Sequence, residues 1–352
     1  MELSPLTAYH SLRCCCVVTL QGGNLTGESV ETRSLDWRNF FNILPVTEYT
    51  MGSVADKIAK KVTSSRWPKF VDMEGYRKGR KMALEAGSID DVLVLDDLDD
   101  LDDLADLDPC HAVYRFALNV CAPMSESISG MREAKSGAEI IINARIKYRP
   151  IGPPLSPLTL SYFAMWAMFD VRFGSSRETM GNCILRIMPD FHCPTWLIDI
   201  VERMQQSRMG FFVHCGSDGE NILLREVGTR ETLPCRVAYG YDGSKGQVWF
   251  VRVLPPPSPE YRYHLVFNTP YVFLDYPESA FVDYLERELA RMMAVKNPPL
   301  RTDDPHGHLM KYGPEPNHWN EYIFCAGASD EEGVIFLTGV PGIRESLPHD
   351  HG

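Results

Sequence analysis

Several signatures that would settle the chemistry of this chain are missing from it. No window approaches 18 uninterrupted apolar residues, so no transmembrane helix is expected. Residues 14–20, the longest apolar stretch near the amino end, are too few for a signal peptide and lack its flanks. No Cys-x-x-Cys pair occurs, which removes zinc knuckles and thioredoxin-like motifs. There is no Gly-x-Gly-x-x-Gly and no phosphate-binding Gly-x4-Gly-Lys loop, so nucleotide binding through those loops is unsupported. No Gly-x-Ser-x-Gly elbow and no His-Glu-x-x-His helix are present. Ten cysteines in 352 residues is not the density of a disulfide scaffold. Most of them sit in apolar runs, as buried free thiols do. That points to a reducing compartment, and the expected localisation is cytoplasmic.

What the chain does contain is apolar mass and an uneven distribution of charge. Hydrophobic residues make up 44% and aromatics 11%, enough for a sizeable core. The net charge of −12 is local. Residues 51–87 hold nine basic side chains (Lys57, Lys60, Lys61, Arg66, Lys69, Arg77, Lys78, Arg80, Lys81) against four acidic ones. Residues 88–108 hold ten Asp and no basic residue. Within that run, Leu95, Leu98, Leu101, Leu104 and Leu107 recur every three residues, too short a period to keep one face of an α-helix. Closely spaced Asp residues are poor helix formers and repel one another, so the run is expected to be a disordered linker. A calcium loop of the EF-hand type needs Gly at its sixth position and Glu at its twelfth, and this run has neither.

The expected organisation follows from these shifts in composition. Residues 1–50 read as disordered or as a spurious extension, with Met51 as the natural start. Residues 51–87 form a basic helical segment, through Val54, Ile58 and Val62 and then a second helix over 70–86. Residues 88–108 are the acidic linker, and 109–294 an α+β domain. Residues 295–352 are a loop-rich carboxyl-terminal extension. Inside the α+β domain, 111–120 alternates as a strand would, and 139–148 contains the β-branched run Ile140-Ile141-Ile142. The proline-rich residues 150–157 read as a stiff boundary loop. Residues 161–171, apolar nearly all round, suit a buried helix. Further helices fit 177–188, 195–206 and 279–293. Six short strands are expected over 211–215, 221–227, 233–239, 247–254, 261–267 and 271–274, with two more over 322–326 and 334–338. The close turns between the first six point to a small antiparallel curled sheet or barrel over residues 210–275.

Residues 160–290 also carry an ordered set of motifs. These are Trp166-Ala-Met-Phe169-Asp170-Val-Arg172, then Gly210-Phe-Phe-Val213, then Leu223-Leu-Arg225-Glu-Val-Gly-Thr-Arg-Glu231, and Val248-Trp-Phe-Val-Arg252-Val-Leu-Pro255. The order resembles a module of uncharacterised bacterial proteins, some of which also carry a SEC-C zinc motif. The resemblance implies a helical segment feeding a small β-barrel and implies no activity. The SEC-C cysteines are absent here, so no zinc role comes with it.

Three stretches could bear function. Between Thr302 and Phe324 lie Asp303, Asp304, His306, His308, His318 and Glu321. His306, His308 and His318 with an acidic neighbour could hold a divalent metal and activate water, though packing of a polar loop accounts for the same residues. The basic residues of 51–87, interleaved with Trp67, Phe70 and Tyr76, could grip phosphates and stack on bases, or form a solvated face neutralised by the neighbouring Asp run. Asp170 and Arg172 fit a structural ion pair or a helix-end contact. No cofactor is expected. The leading reading is a non-catalytic binding or adaptor protein with a protein partner and no membrane association. Its alternatives are a metal-dependent hydrolase, with nucleic acid among its substrates, and nucleic-acid binding through the basic helices.

Overall fold

The computed structural model describes residues 53–64, 107–150, 156–294 and 304–342. They form an α+β fold of nine α-helices and an eight-stranded mixed sheet. Among these residues no helix is long and apolar enough to cross a membrane. The expectations for 1–50, for the helix over 70–86 and for nearly all of the acidic run lie outside the described residues.

The first described helix, α1 (Val54–Ser64), buries Val54, Ala55, Ile58, Ala59 and Val62 and leaves Lys57, Lys60 and Lys61 exposed, as its apolar spacing requires. The Glu178 carboxylate accepts the backbone N–H groups of Val54 (2.7 Å) and Ala55 (3.2 Å), so the free donors of the first turn are satisfied from a distant part of the chain.

The next element is α2 (Pro109–Ser129). The strand expected over 111–120 is therefore a helix. Asp108 stands at its N-cap and accepts the Cys110 N–H at 2.9 Å, and Pro109 occupies the first turn, where its missing donor costs nothing. Val113, Tyr114, Ala117, Leu118 and Cys121 are buried at helical spacing. Asp108, placed at the end of the acidic linker by composition, thus belongs to the folded unit. So does α1, which shares a core with α2.

A short 3₁₀ turn leads to α3 (Lys135–Tyr148), which contains the Ile140-Ile141-Ile142 run. Burial of Ala134, Ala138, Ile141, Ala144 and Tyr148 follows the helical period and overrides the β preference of those isoleucines. Helices α4 (Leu160–Phe169), α5 (Met180–Ile187) and α6 (Thr195–Gln206) follow near their expected positions. Thr159 and Thr179 cap α4 and α5 with their side chains.

The strands are β1 (Met209–Asp218), β2 (Asn221–Glu226), β3 (Thr232–Val237), β4 (Val248–Leu254), β5 (His264–Val266) and β6 (Tyr271–Phe273). After them come α7 (Glu278–Ala294), α8 (Pro305–Tyr312), α9 (His318–Phe324), β7 (Gly327–Glu331) and β8 (Val334–Thr338). Pairings run β1–β2–β3–β5–β4 and return to β1, so five strands close a small barrel. With β4 beside β1, the first four strands have Greek-key order. The sheet is not purely antiparallel: β3 pairs with β5, and β6 with β8, in parallel. A register shift between His214 and Gly216 bends β1, letting it pair with β4 along its first half and with β2 along its second. Gly216 adopts a φ of 117° there, a conformation that disfavours a side chain.

Residues 322–326, expected as a strand, lie mostly in α9, because Trp319, Tyr322 and Ile323 are buried on one helical face. Alternation then divides the barrel strands. Phe212, Ile222, Leu224, Cys235, Trp249 and Val251 fill the barrel. Phe211, Val213, Val248, Phe250, Tyr271 and Phe273 point the other way, into an aromatic layer with Tyr162, Trp166, Phe281, Trp319 and Tyr322. Helices therefore cover the β1–β4–β6 side.

Candidate functional site

Asp170 ends α4 as its C-cap, and its side chain is 3% exposed. Two cations converge on it. Arg252 of β4 (1% exposed) donates to Oδ2, and Lys311 of α8 (9% exposed) donates to Oδ1 at 3.1 Å. Both also reach Ser207 at the C-cap of α6. Lys311 Nζ donates to its carbonyl at 2.6 Å, and Arg252 Nη1 donates to the same carbonyl at 3.1 Å and to Oγ at 3.0 Å. Burial pulls the Lys311 amine down to about 8, against the opposing pull of Asp170. The cluster joins α4, α6, β4 and α8. Asp170 thus makes both a helix-end contact and an ion pair, but with Arg252 and Lys311. Arg172 instead lies over the Tyr312 ring, 4.1 Å from its centroid.

The three sequence-predicted histidines are not brought together. His306 lies against Gly228 in the β2–β3 turn, close enough that a Cβ there would overlap the imidazole. Near it, Glu226 holds Arg208 and accepts from Thr229 Oγ1 at 2.7 Å. His308 packs its ring 5.0 Å from Tyr312. His318 Nε2 meets the Tyr284 hydroxyl at 2.7 Å, and the two rings are nearly parallel. Burial pushes His308 and His318 down to about 4, so both imidazoles are neutral near pH 7. Asp304 serves α8 as N-cap, accepting the Gly307 N–H at 2.8 Å, and Asp303 lies outside the described residues. Two histidines at positions 306 and 308 of one helix face different ways, and residue 318 starts another helix. Among the described residues, no group of three His, Cys, Asp or Glu side chains could hold a metal ion.

Of the basic candidates, Lys57, Lys60 and Lys61 line the exposed face of α1, where Lys61 Nζ donates to Glu133 at 2.7 Å. Arg66, Lys69, Arg77, Lys78, Arg80 and Lys81 lie outside the described residues.

Sequence reasoning missed the outward face of β2, β3 and β5. Because Ile222, Leu224 and Cys235 point into the barrel, their neighbours Asn221, Leu223, Arg225, Pro234 and Arg236 point out. Leu223 and Pro234 stand opposite each other, as do Arg225 and Thr232. Arg225 forms a two-pronged contact with Glu278 (2.9 and 2.8 Å), and Arg230 reaches the same carboxylate. The Arg236 guanidinium stacks 4.3 Å from the Tyr263 centroid and binds Asp108 (3.2 Å) and Glu220 (2.5 Å). Asp108 also accepts the Tyr263 hydroxyl at 2.8 Å, so the residue that caps α2 also anchors this face. The signal was available: Asn221-Ile-Leu-Leu-Arg225 and Leu233-Pro-Cys-Arg236 alternate, with arginines at outward positions. Comparison with family models, curated proteins and solved structures finds no match for this chain.

Proposed function

We propose that this is a non-catalytic binding protein of the cytoplasm, which presents the outward face of β2, β3 and β5 to a protein partner. The observation that carries this reading is the uneven covering of the barrel. Helices bury the β1–β4 side, while Leu223, Arg225, Pro234 and Arg236 are only half-buried. Five-stranded Greek-key barrels commonly bind extended ligands across strands 2 and 3, an argument from architecture alone. The local chemistry suits a protein contact. An apolar Leu223–Pro234 pair is flanked by arginines, one of them stacked on a tyrosine, and Arg and Tyr are the residue types that anchor interfaces. Because Glu278, Glu220 and Asp108 now hold those arginines, acidic groups of a partner would exchange with them, and affinity would fall with salt. The seven cysteines among the described residues are free, four of them buried, which favours a reducing compartment.

A photo-crosslinking side chain placed at Leu223 in cells, with Asp283 of the exposed α7 surface as control, tests the reading. One discrete adduct is expected at Leu223 alone, weakened by Arg236→Ala and by high salt. Equal adducts at both positions would sink it. The carriage of Lys57, Lys60 and Lys61 on the outer side of a docked α1 favours a second reading, binding of single-stranded nucleic acid. Fluorescence anisotropy with a labelled oligonucleotide separates the two, because only nucleic-acid binding would weaken on Lys57→Glu with Lys60→Glu.

A further inference from the structure

The loop between α4 and α5 reads Arg172-Phe-Gly-Ser-Ser-Arg177. It is fixed at its base. Phe173 is buried, and its N–H donates to the Glu178 carbonyl at 2.9 Å. Gly174 and Arg177 both take positive φ (67° and 53°), and the Arg177 N–H closes on the Gly174 carbonyl at 3.3 Å. A non-glycine residue in that conformation is uncommon and marks a constrained turn. The turn sets Arg172 beside α8, with the exposed Arg177 near enough that both Arg172 and His308 feel its charge. The Arg172 guanidinium is spread over Tyr312, and its Nη1 is buried with no hydrogen-bond acceptor. His308, one turn earlier on α8, packs against the same tyrosine.

No carboxylate among the described residues pairs with Arg172 or Arg177, whereas Arg186, Arg208, Arg225, Arg236 and Arg252 each hold one. The electrostatics agree with the geometry. Burial and then the nearby Arg177 pull Arg172 down to about 10, and His308 feels burial and then both arginines. Like charges gathered this way oppose one another. Asp304, which faces His308, is engaged as the N-cap of α8, and no carboxylate among the described residues pairs with either guanidinium.

We propose that Arg172 and Arg177, with His308 behind them, bind a phosphate-type oxyanion. A guanidinium held flat by stacking offers its N–H groups as a ready fork for two oxygens. Two guanidiniums supply more charge and more donors than a single carboxylate requires, and match a group bearing up to two negative charges. The groups facing His308 are Arg172, Arg177, Tyr312 and Asp304. An arriving anion offsets the two arginines, so the imidazole gains a proton more readily and adds a donor.

The test uses the full chain with inorganic phosphate, and with acetate at matched ionic strength as control. Thermal unfolding and the NMR titration of His308 are the readouts. Phosphate, but not acetate, is expected to raise the unfolding temperature and move the His308 titration upward. Arg172→Met and Arg177→Gln are each expected to weaken phosphate binding at least tenfold. Arg172→Met removes an unpaired cation while keeping an apolar stem on Tyr312. Without phosphate it should therefore unfold at a higher temperature than the parent, an effect a structural arginine would not give. Phosphate responses that persist in the double variant, or that never appear in the parent, would overturn the proposal. Should Arg172→Met fail to fold, the exposed Arg177→Gln variant decides the matter. Tighter binding of a nucleoside monophosphate than of inorganic phosphate would identify a nucleotide as the source, and weaker binding the free ion. Either result sustains the site.

Discussion

The cluster around Asp170 allows a contrast between two substitutions that sequence inspection would rank alike. Lys311 and Arg252 share one carboxylate, so the group as a whole holds one positive charge in excess. Burial brings the lysine from 10.5 to about 8, which corresponds to about 3 kcal/mol of unfavourable burial at pH 7. The sign follows from linkage. A lysine held below its unfolded value binds fewer protons when folded, so this cost is present below pH 8 and is relieved as pH rises toward 10.5. Lys311→Met removes that cost, in which the pull of Asp170 is already counted, and loses the hydrogen bond to the Ser207 carbonyl, worth about 1–3 kcal/mol. The two nearly cancel, and Arg252 keeps its partner. Asp170→Asn leaves Arg252 without a counter-charge, and an arginine cannot shed its proton, so a loss of about 3–5 kcal/mol is expected. Urea unfolding followed by tryptophan fluorescence measures both. Lys311→Met should lie within about 1 kcal/mol of the parent at pH 7 and fall behind it as pH rises toward 10.5. Equal losses for the two variants, or a Lys311→Met difference that does not change with pH, would refute the reasoning.

Other perturbations test separate parts of the account. His111 is 3% exposed, has no partner at either ring nitrogen and is pushed by burial to about 4. The parent should therefore lose stability as pH falls from 6.5 toward 4, and His111→Leu should stabilise the protein more at pH 5 than at pH 7 in denaturant titrations. Gly228→Ala drives a methyl group into His306 and should cost about 1–3 kcal/mol, a loss that His306→Ala recovers in a double-mutant cycle. Asp108→Ala removes the cap of α2 together with the anchors of Arg236 and Tyr263. It should cost about 1–2 kcal/mol, with faster amide exchange confined to the first turn of α2. Unchanged exchange there would remove Asp108 from that role.

Where burial and local propensity agree, the chain could be read directly. The helix Thr195–Gln206 and the strand Val334–Thr338 have the expected bounds, and α4 is as uniformly apolar as its position between two cores demands. The misreadings share a cause. Alternation in 111–120 and the β-branched run in 139–148 suggested strands, as did the short apolar stretch 322–326, but helical burial against neighbours elsewhere in the chain decided the outcome. Asp108-Pro109 was the overlooked start signal for the first of these. Parallel pairing of β3 with β5 arises from long-range closure, and no local turn announces it. Likewise, the histidines of 306–318 are close in sequence, but different faces of α8 and the start of α9 turn them toward Gly228, Tyr312 and Tyr284. The partners of Asp170 come from β4 and α8, far along the chain, so spacing could not identify them.

The seating of α1 carries a consequence of its own. Its apolar face is packed against α5, its first amides are held by Glu178, and Asp56 pairs with Arg186 at 2.8 Å, all across more than a hundred residues of sequence. These contacts hold α1 to the rest of the fold independently of the peptide connection between them. Cleavage of the chain just after Ser64 should therefore leave two pieces that still co-elute. A fragment ending just after α1, supplied separately, should complement the remainder of the chain, making this helix a detachable part of the molecule and a natural place to divide it into two reporters.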